Sequence, residues 1–303
     1  NPLQMKSITK VNPSKDSSTE MTITMKYREN SYNSEAISVK SFDAKNKIIT
    51  VKMTNANDAT DVISVKVKLE DSDIVHGVYN TSYLKLIKNF TKRHHYVIYS
   101  DYIVVNKTPI EIIAKGAKEE KEISNHKFAP KAISLFGFDK ESIMIKSNES
   151  KWSKAFSINT FGMSGVCSLE KEIDSHIVDE KDKDVQLNDI ACKISTSSSF
   201  KNSTLVIFEE RYLLYNRLGF DLFFKQVDAK NKERNFKYTE VKNGEDKMIS
   251  FIKTAKKMKK MIKISLDERF ESSAFTIDDL ANFNIKIPIE DTSIIDKLNK
   301  INE

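Results

Sequence analysis

The sequence predicts an all-β protein built as tandem β-sandwich-like repeats in an elongated array, and three observations carry that expectation. Short runs rich in β-branched residues alternate apolar and polar positions along most of the chain, as half-buried strands do. A longer pattern occurs twice: SDYIVVNKTPIEI at 100–112 returns as ERYLLYNRLGFDL at 210–222, each an aromatic, an apolar run, then an Asn that opens a turn. A shorter one occurs three times, Ala36-Ile37-Ser38-Val39, Ala155-Phe156-Ser157-Ile158 and Ala274-Phe275-Thr276-Ile277; the steps from 36 to 155 and from 155 to 274 are both 119 residues. Fixed internal periods mark repeat architectures.

The elements follow in order. Residues 1–20 are polar, with two prolines, and read as a frayed lead-in. MTITMKY (21–27), AISV (36–39), KIITVKM (47–53) and VISVKVKL (62–69) are expected strands, with Asp43-Ala44-Lys45-Asn46 as a hairpin turn between the second and third. The next unit contributes YVIYSDYIVV (96–105), IEII (110–113), AISLFGF (132–138) and SIMIKS (142–147). The last contributes STLVIFEERYLLY (203–215), FDLFFKQV (220–227), MISFIK (248–253) and MIKIS (261–265). Between them, Glu170 to Asp184 is charged and poor in apolar residues, the composition of a solvated loop. The expected units are residues 1–83, the back half of a repeat, then two complete repeats, 84–190 and 191–303.

Composition narrows the function. A hydrophobic share of 39% against 30% charged residues suits modules with thin cores and much surface. No apolar run approaches the roughly 18 residues of a membrane span, and no secretory signal opens the chain, so a soluble protein is expected. Two cysteines, Cys167 and Cys192, make no disulfide framework and point to a reducing compartment. The net charge of +6 is local: Lys253, Lys256, Lys257, Lys259, Lys260 and Lys263 account for all of it, which gives no reason to expect a nucleic-acid partner.

Signatures of catalysis are scarce. Seven glycines form no phosphate-cradling loop, nucleophile elbow or dinucleotide fingerprint. His94 and His95 are adjacent, and successive strand residues face opposite ways, so they read as strand-edge residues rather than a metal pair. No catalytic residue, metal or cofactor is expected, and no enzymatic activity.

Three features remain as candidates. Asn106 and Asn216 open turns, where an Asn side chain accepts a hydrogen bond from the backbone two residues on; the amide either serves its own turn or also holds the backbone of a bound peptide. Trp152 stands where Tyr32 and Phe270 stand in the other copies, which favours a core plug over a ligand platform. The stretch SFIKTAKKMKKMIKI (250–264) reads two ways. As a helix it would lie on anionic lipid with its lysines outward; aligned as a repeat, KAISLFGF (131–138) on KMISFIKT (247–254), it is two strands joined by a basic loop.

The order of an Asp/Arg-Tyr-apolar-Asn run followed by Trp152-Ser-Lys-Ala-Phe-Ser-Ile158 and a tail bearing Gly162 and Gly165 resembles the adaptor-binding repeats of the vacuolar protein sorting-associated protein 13 family. Those are long, rod-shaped lipid-transfer proteins. The resemblance implies all-β repeats, each with a characteristic Asn, that receive Pro-x-Pro motifs of organelle adaptors and direct the lipid bridge to membrane contact sites. It implies a cytoplasmic, peripheral location and a monomeric fragment of a larger chain. Peptide-contact candidates are then Asn216 and Asn106, with Arg211 and Tyr212 from the same motif; the six lysines belong to the alternative of a membrane-surface module. The last copy departs from the pattern, with Phe270-Glu-Ser-Ser for the Trp run and Leu280-Ala-Asn for the tail.

Overall fold

A computed structural model describes residues 20–27, 30–38, 41–42, 47–72, 93–116, 120–123, 134–136, 142–160, 162–174, 184–196, 202–228, 234–253, 258–278 and 284–290, with 292, 295 and 296. It is an all-β protein of several sheets around three main cores. A five-stranded antiparallel sheet comes first, in the order Thr24–Tyr27, Asn30–Ser34, Ile48–Asn55, Val62–Ser72, Arg93–Tyr99. Alternation does the work here: Val51 and Met53, then Ile63, Val65 and Val67, turn to one face and are buried together.

The middle of the molecule is a six-stranded sheet ordered Ser134–Phe136, Tyr102–Asn106, Thr204–Glu210, Asp184–Thr196, Ser164–Ile173, with Phe251–Ile252 also pairing to Asp184–Thr196. Tyr102–Asn106 and Thr204–Glu210 run parallel, Thr204 opposite Tyr102 and Phe208 opposite Asn106. Ile103 and Val105 enter the first core with Leu205 packed against it, whereas Val104, Val206 and Phe208 enter the second. Period-2 side chains thus let one sheet wall two cores.

Two four-stranded sheets share one design. The first is ordered Glu120–Ile123, Ile112–Lys115, Ser142–Lys146, Phe156–Ser157; the second Thr239–Val241, Leu222–Val227, Met261–Ser265, Phe275–Thr276. Their registers match, Ile143 opposite Phe156 and Ile262 opposite Phe275. In the first copy Ile37 lies opposite Met21. The third occurrence of the short sequence pattern therefore marks the same strand pairing as the other two.

Several local expectations are corrected. The runs 96–105 and 203–215 are not single strands: each breaks, at Ser100-Asp101 and at Arg211-Tyr212, and its halves pair with different neighbours. At the first break Ser100 is buried and its hydroxyl donates to Tyr102 O (3.1 Å), while Asp101 O accepts from Thr204 N–H (2.8 Å). The segments on either side of 43–46 do not pair as a hairpin, because Ile37 is drawn to Met21 and Ile48–Asn55 to Asn30–Ser34 and Val62–Ser72. The turn residues themselves lie outside the described residues. Glu170–Ile173 and Asp184 are strand rather than loop, since Leu169 and Ile190 anchor that hairpin in the core. Residues 175–183 lie outside the described residues.

Candidate functional site

The two Asn turns are built alike. Asn106 and Asn216 are 0% and 1% exposed, so every polar atom of their amides needs a partner inside the protein. Asn216 Oδ1 accepts Leu218 N–H (3.1 Å), and its amide donates to Phe220 O and Val241 O (both 2.8 Å). Asn106 Oδ1 accepts Thr108 N–H (3.0 Å) and the Thr108 hydroxyl (2.7 Å), and its amide donates to Ile110 O (2.8 Å) and Ile123 O (3.4 Å). Each Asn thus closes its turn and ties that turn to the neighbouring sheet. Both amide hydrogens are committed, which places these side chains beneath the surface rather than on it.

A second fastener repeats three times and was missed in the sequence. Ser34, Ser153 and Ser272 accept the N–H of Ile23 (2.8 Å), Ile145 (3.0 Å) and Ile264 (3.0 Å) through Oγ, and each donates its own N–H to the carbonyl of that same residue. The hydroxyl of each then donates to the carbonyl of the following residue. The signal was present: each Ser stands two residues before the Ala of the repeated tetrad, at the same 119-residue step.

Arg211 and Tyr212 meet at the sheet junction. Arg211 Nε donates to Tyr212 Oη (2.7 Å), Tyr212 donates to Asp278, and Arg211 reaches Asp278 at 3.4 Å. Burial pushes the Tyr212 hydroxyl well above its ordinary range, and its bond to Asp278 adds to the shift. Beside them Lys260 pairs with Asp189, whose side chain is 1% exposed, and stands 5.0 Å from the Tyr212 ring and 5.8 Å from that of Phe251. These contacts join the middle sheet to the last unit.

The basic stretch is two strands, Phe251–Ile252 and Met261–Ser265, and its described residues form no helix. Lys253 pairs with Glu170, Lys260 with Asp189 and Lys263 with Glu271 at 2.9 Å, while Lys259 is exposed. Lys256 and Lys257 lie outside the described residues. Between Met261–Ser265 and Phe275–Thr276, Glu271 bridges to Ser265 and forms another carboxylate centre. Burial works to raise the Glu271 pKa, but hydrogen bonds from Lys225, Tyr238 and Lys263 prevail and bring it down to about 2.

Trp152 is not a core plug. It is partly buried, with Lys146 Nζ 4.6 Å and Lys115 Nζ 5.7 Å from its ring centre; of the three aromatics expected there only Tyr32, at 4%, is in the core. At the matching 119-residue step stands Glu271, so Lys115 on a ring in one unit becomes Lys225 on a carboxylate in the next. Both thiols are buried enough to stay protonated at neutral pH, Cys167 pushed up to about 11 and Cys192 to about 12. The strand holding His94 and His95 pairs with Val62–Ser72, and no group of three potential metal ligands converges among the described residues.

The repeated Asn turn, the repeated Ser fastener and the matching sheets describe one β unit used again along the chain. A protein-family model, that of the vacuolar-sorting associated protein 13 adaptor binding domain, matches residues 80–295. The chain belongs to that family. No curated protein matches it.

Several strands have one side without a partner strand among the described residues. Ser164–Ile173 ends the six-stranded sheet, with Val166 on it and Met163 beside it exposed at 41% and 45%. Among the described residues, Leu213–Tyr215 pairs on one side only, with Asp246–Met248. Tyr215 and Leu218, at 59% and 48%, are the most exposed large apolar residues described. Among the described residues no helix is long and apolar enough to cross a membrane.

Proposed function

We propose that this adaptor-binding domain is a non-enzymatic interaction module that captures short Pro-x-Pro motifs of organelle adaptors by strand addition and so directs a lipid-transfer protein to membrane contact sites. The observation that carries the reading is the set of sheet edges that have no partner strand among the described residues, above all Leu213–Tyr215 under the Asn216 turn. In an extended strand the N–H and C=O of residue i point to one side and those of i+1 to the other. Prolines at i and i+2 both turn their missing N–H away from the sheet, while the residue between them offers a full donor and acceptor to it. A Pro-x-Pro segment is also extended before binding, which lowers the ordering cost.

Within this reading Asn216 and Asn106 act by holding the turns that shape the edge, and Arg211 and Tyr212 by fixing the junction behind it. The division into 1–83, 84–190 and 191–303 belongs to the same proposal; in space the strand Asp184–Thr196 runs on through residue 190. Of the six lysines of the membrane-surface alternative, Lys253, Lys260 and Lys263 are ion-paired and Lys259 is exposed.

Titration of labelled Pro-x-Pro peptides tests the proposal directly. Saturable binding is expected, lost when the peptide nitrogen of the central residue is methylated and retained when either proline is replaced by N-methylalanine. Binding unaffected by the central methyl group would reject strand addition. Unchanged affinity in a folded Asn216→Ser protein would remove Asn216 from any part in the site.

A further inference from the structure

The last unit meets the middle sheet through a side chain as well as through strands, and a cavity is left where it does. Ile252 lies opposite Gln186 on Asp184–Thr196, and Lys253 N–H donates to Val185 O (2.8 Å). The N–H and C=O of Ile252 point the other way. Gln226, 9% exposed, takes both: its Oε1 accepts the N–H (2.6 Å) and its Nε2 donates to the C=O (2.9 Å). A side-chain amide thus stands where a further strand would otherwise bond. Interposed in this way, it holds its own strand farther off than the roughly 4.8 Å of paired strands, and space remains beside it.

That space is a cavity of about 200 Å³ on the side of the last unit that faces the middle sheet. Ile173, Phe224, Met248 and Ile252 give it apolar walls. Two of its polar groups already have a partner, since the Ser250 hydroxyl (2.6 Å) and Gln186 Nε2 (3.1 Å) both donate to Asn188 Oδ1. Its charged groups are Lys237 and Lys247, and among the described residues no Asp or Glu lines it. Lys237 is exposed, while Lys247 is half-buried and uses one of its three donors on Glu240 O (2.8 Å). Nearby Lys225, Lys253, Lys260 and Lys263 each meet a carboxylate of the chain. Among the described residues Lys247 has that carbonyl and no carboxylate.

We infer that this cavity binds a small organic anion, a carboxylate carried on a compact apolar body. Ligand pockets are mostly apolar, hold a few polar groups that fix orientation, and favour the junctions of packed units. Here the lysines meet the carboxylate and the apolar walls meet the body. An apolar cavity of about 150 Å³ accepts benzene, so the space suits a body of about one ring. The strands that meet here, Asp184–Thr196 and Phe251–Ile252, offer no open edge. Gln186 pairs on both sides, with Lys171 and Ile252, and Gln226 closes the far side of Ile252. What the cavity recognises is therefore a small molecule and not an added strand. Because its walls come from the middle sheet and from the last unit, an occupant stabilises their junction. The inference stands apart from the capture of Pro-x-Pro segments, which concerns sheet edges.

The probe is 4-fluorobenzoate, followed by fluorine NMR against the full chain. A saturable shift is expected. 4-Fluorobenzyl alcohol, which lacks the charge, should bind about tenfold more weakly, and acetate, which lacks the ring, should not displace the probe. Lys237→Gln and Lys247→Gln should each weaken binding by about two- to fivefold, the worth of a partly exposed charge pair. Thr239 lines the cavity, so Thr239→Trp should fill it and abolish binding, with circular dichroism reporting an intact fold. Where Thr239→Trp does not fold, the double variant Lys237→Gln with Lys247→Gln decides. Absence of a saturable shift overturns the inference, as does unchanged binding to a folded Thr239→Trp protein or to the double lysine variant. Equal affinity for the alcohol overturns the assignment of an anion.

Discussion

At the scale of single residues, the buried amides and hydroxyls set the energetics. Removing the Asn216 side chain leaves Leu218 N–H, Phe220 O and Val241 O without their partner, the bond to Val241 fully buried and the other two partly so. Each such loss costs about 1–3 kcal/mol, so Asn216→Ala should destabilise the protein by about 2–4 kcal/mol in urea unfolding. Ser272→Ala should cost about 1–2 kcal/mol, because Ile264 N–H is then buried and unpaired, and Ser153→Ala should cost a similar amount through Ile145. Glu271 adds a pH dependence. Its pKa is held at about 2 in the folded protein against an ordinary 4.5, so its contribution is full above pH 4.5 and is lost as pH falls toward 2. In Glu271→Gln the acid unfolding curve should lose that part of its slope, which melting temperatures across pH 2–5 would show.

Between elements, the pair Lys260–Asp189 holds the last unit on the middle sheet together with Lys253–Glu170, Ser250–Asn188 and the pairing of Phe251–Ile252 to Asp184–Thr196. Asp189 lies within the strand Asp184–Thr196 and Lys260 immediately precedes Met261–Ser265. Deleting one partner strands a buried charge, a loss of about 3–5 kcal/mol, whereas replacing both by apolar groups of similar volume is often tolerated. Lys260→Met should therefore be much less stable than the parent, and Asp189→Leu with Lys260→Met should recover most of the difference. Urea unfolding of the three variants provides the comparison. The same pair bears on vesicle flotation: Lys260→Gln should act through stability, and Lys259→Gln, at an exposed site, should not.

For the molecule as a whole, the consequence of a shared sheet is cooperativity. Phe208 comes from the last unit of sequence yet is fully buried in the middle core, packed edge-on to Phe156 with ring centres 6.3 Å apart. Phe208→Ala should cost about 3–5 kcal/mol. Calorimetry should show the middle and last units unfolding in a single transition, before and after the substitution. Two resolved transitions would show that the units are energetically separate despite their common strands.

How much of this was legible beforehand follows from which interactions are local. The all-β class, the Asn turns and the 119-residue beat were readable, because alternation, turn chemistry and periodicity act within a few residues. The same beat already carried Ser34, Ser153 and Ser272, unread because a Ser in a polar chain gives no signal until its hydroxyl is seen on a backbone N–H eleven or eight residues away. Tertiary structure alone decided the rest. It split 96–105 and 203–215 between sheets, made strand out of charged Glu170–Ile173, took Trp152 out of the core, and set Lys260 and Lys263 on buried or half-buried carboxylates. The physical reason is common to all four: a strand's partner, and the face it buries, are chosen by residues distant in sequence. Local pattern sets the period of a strand and leaves its neighbour open.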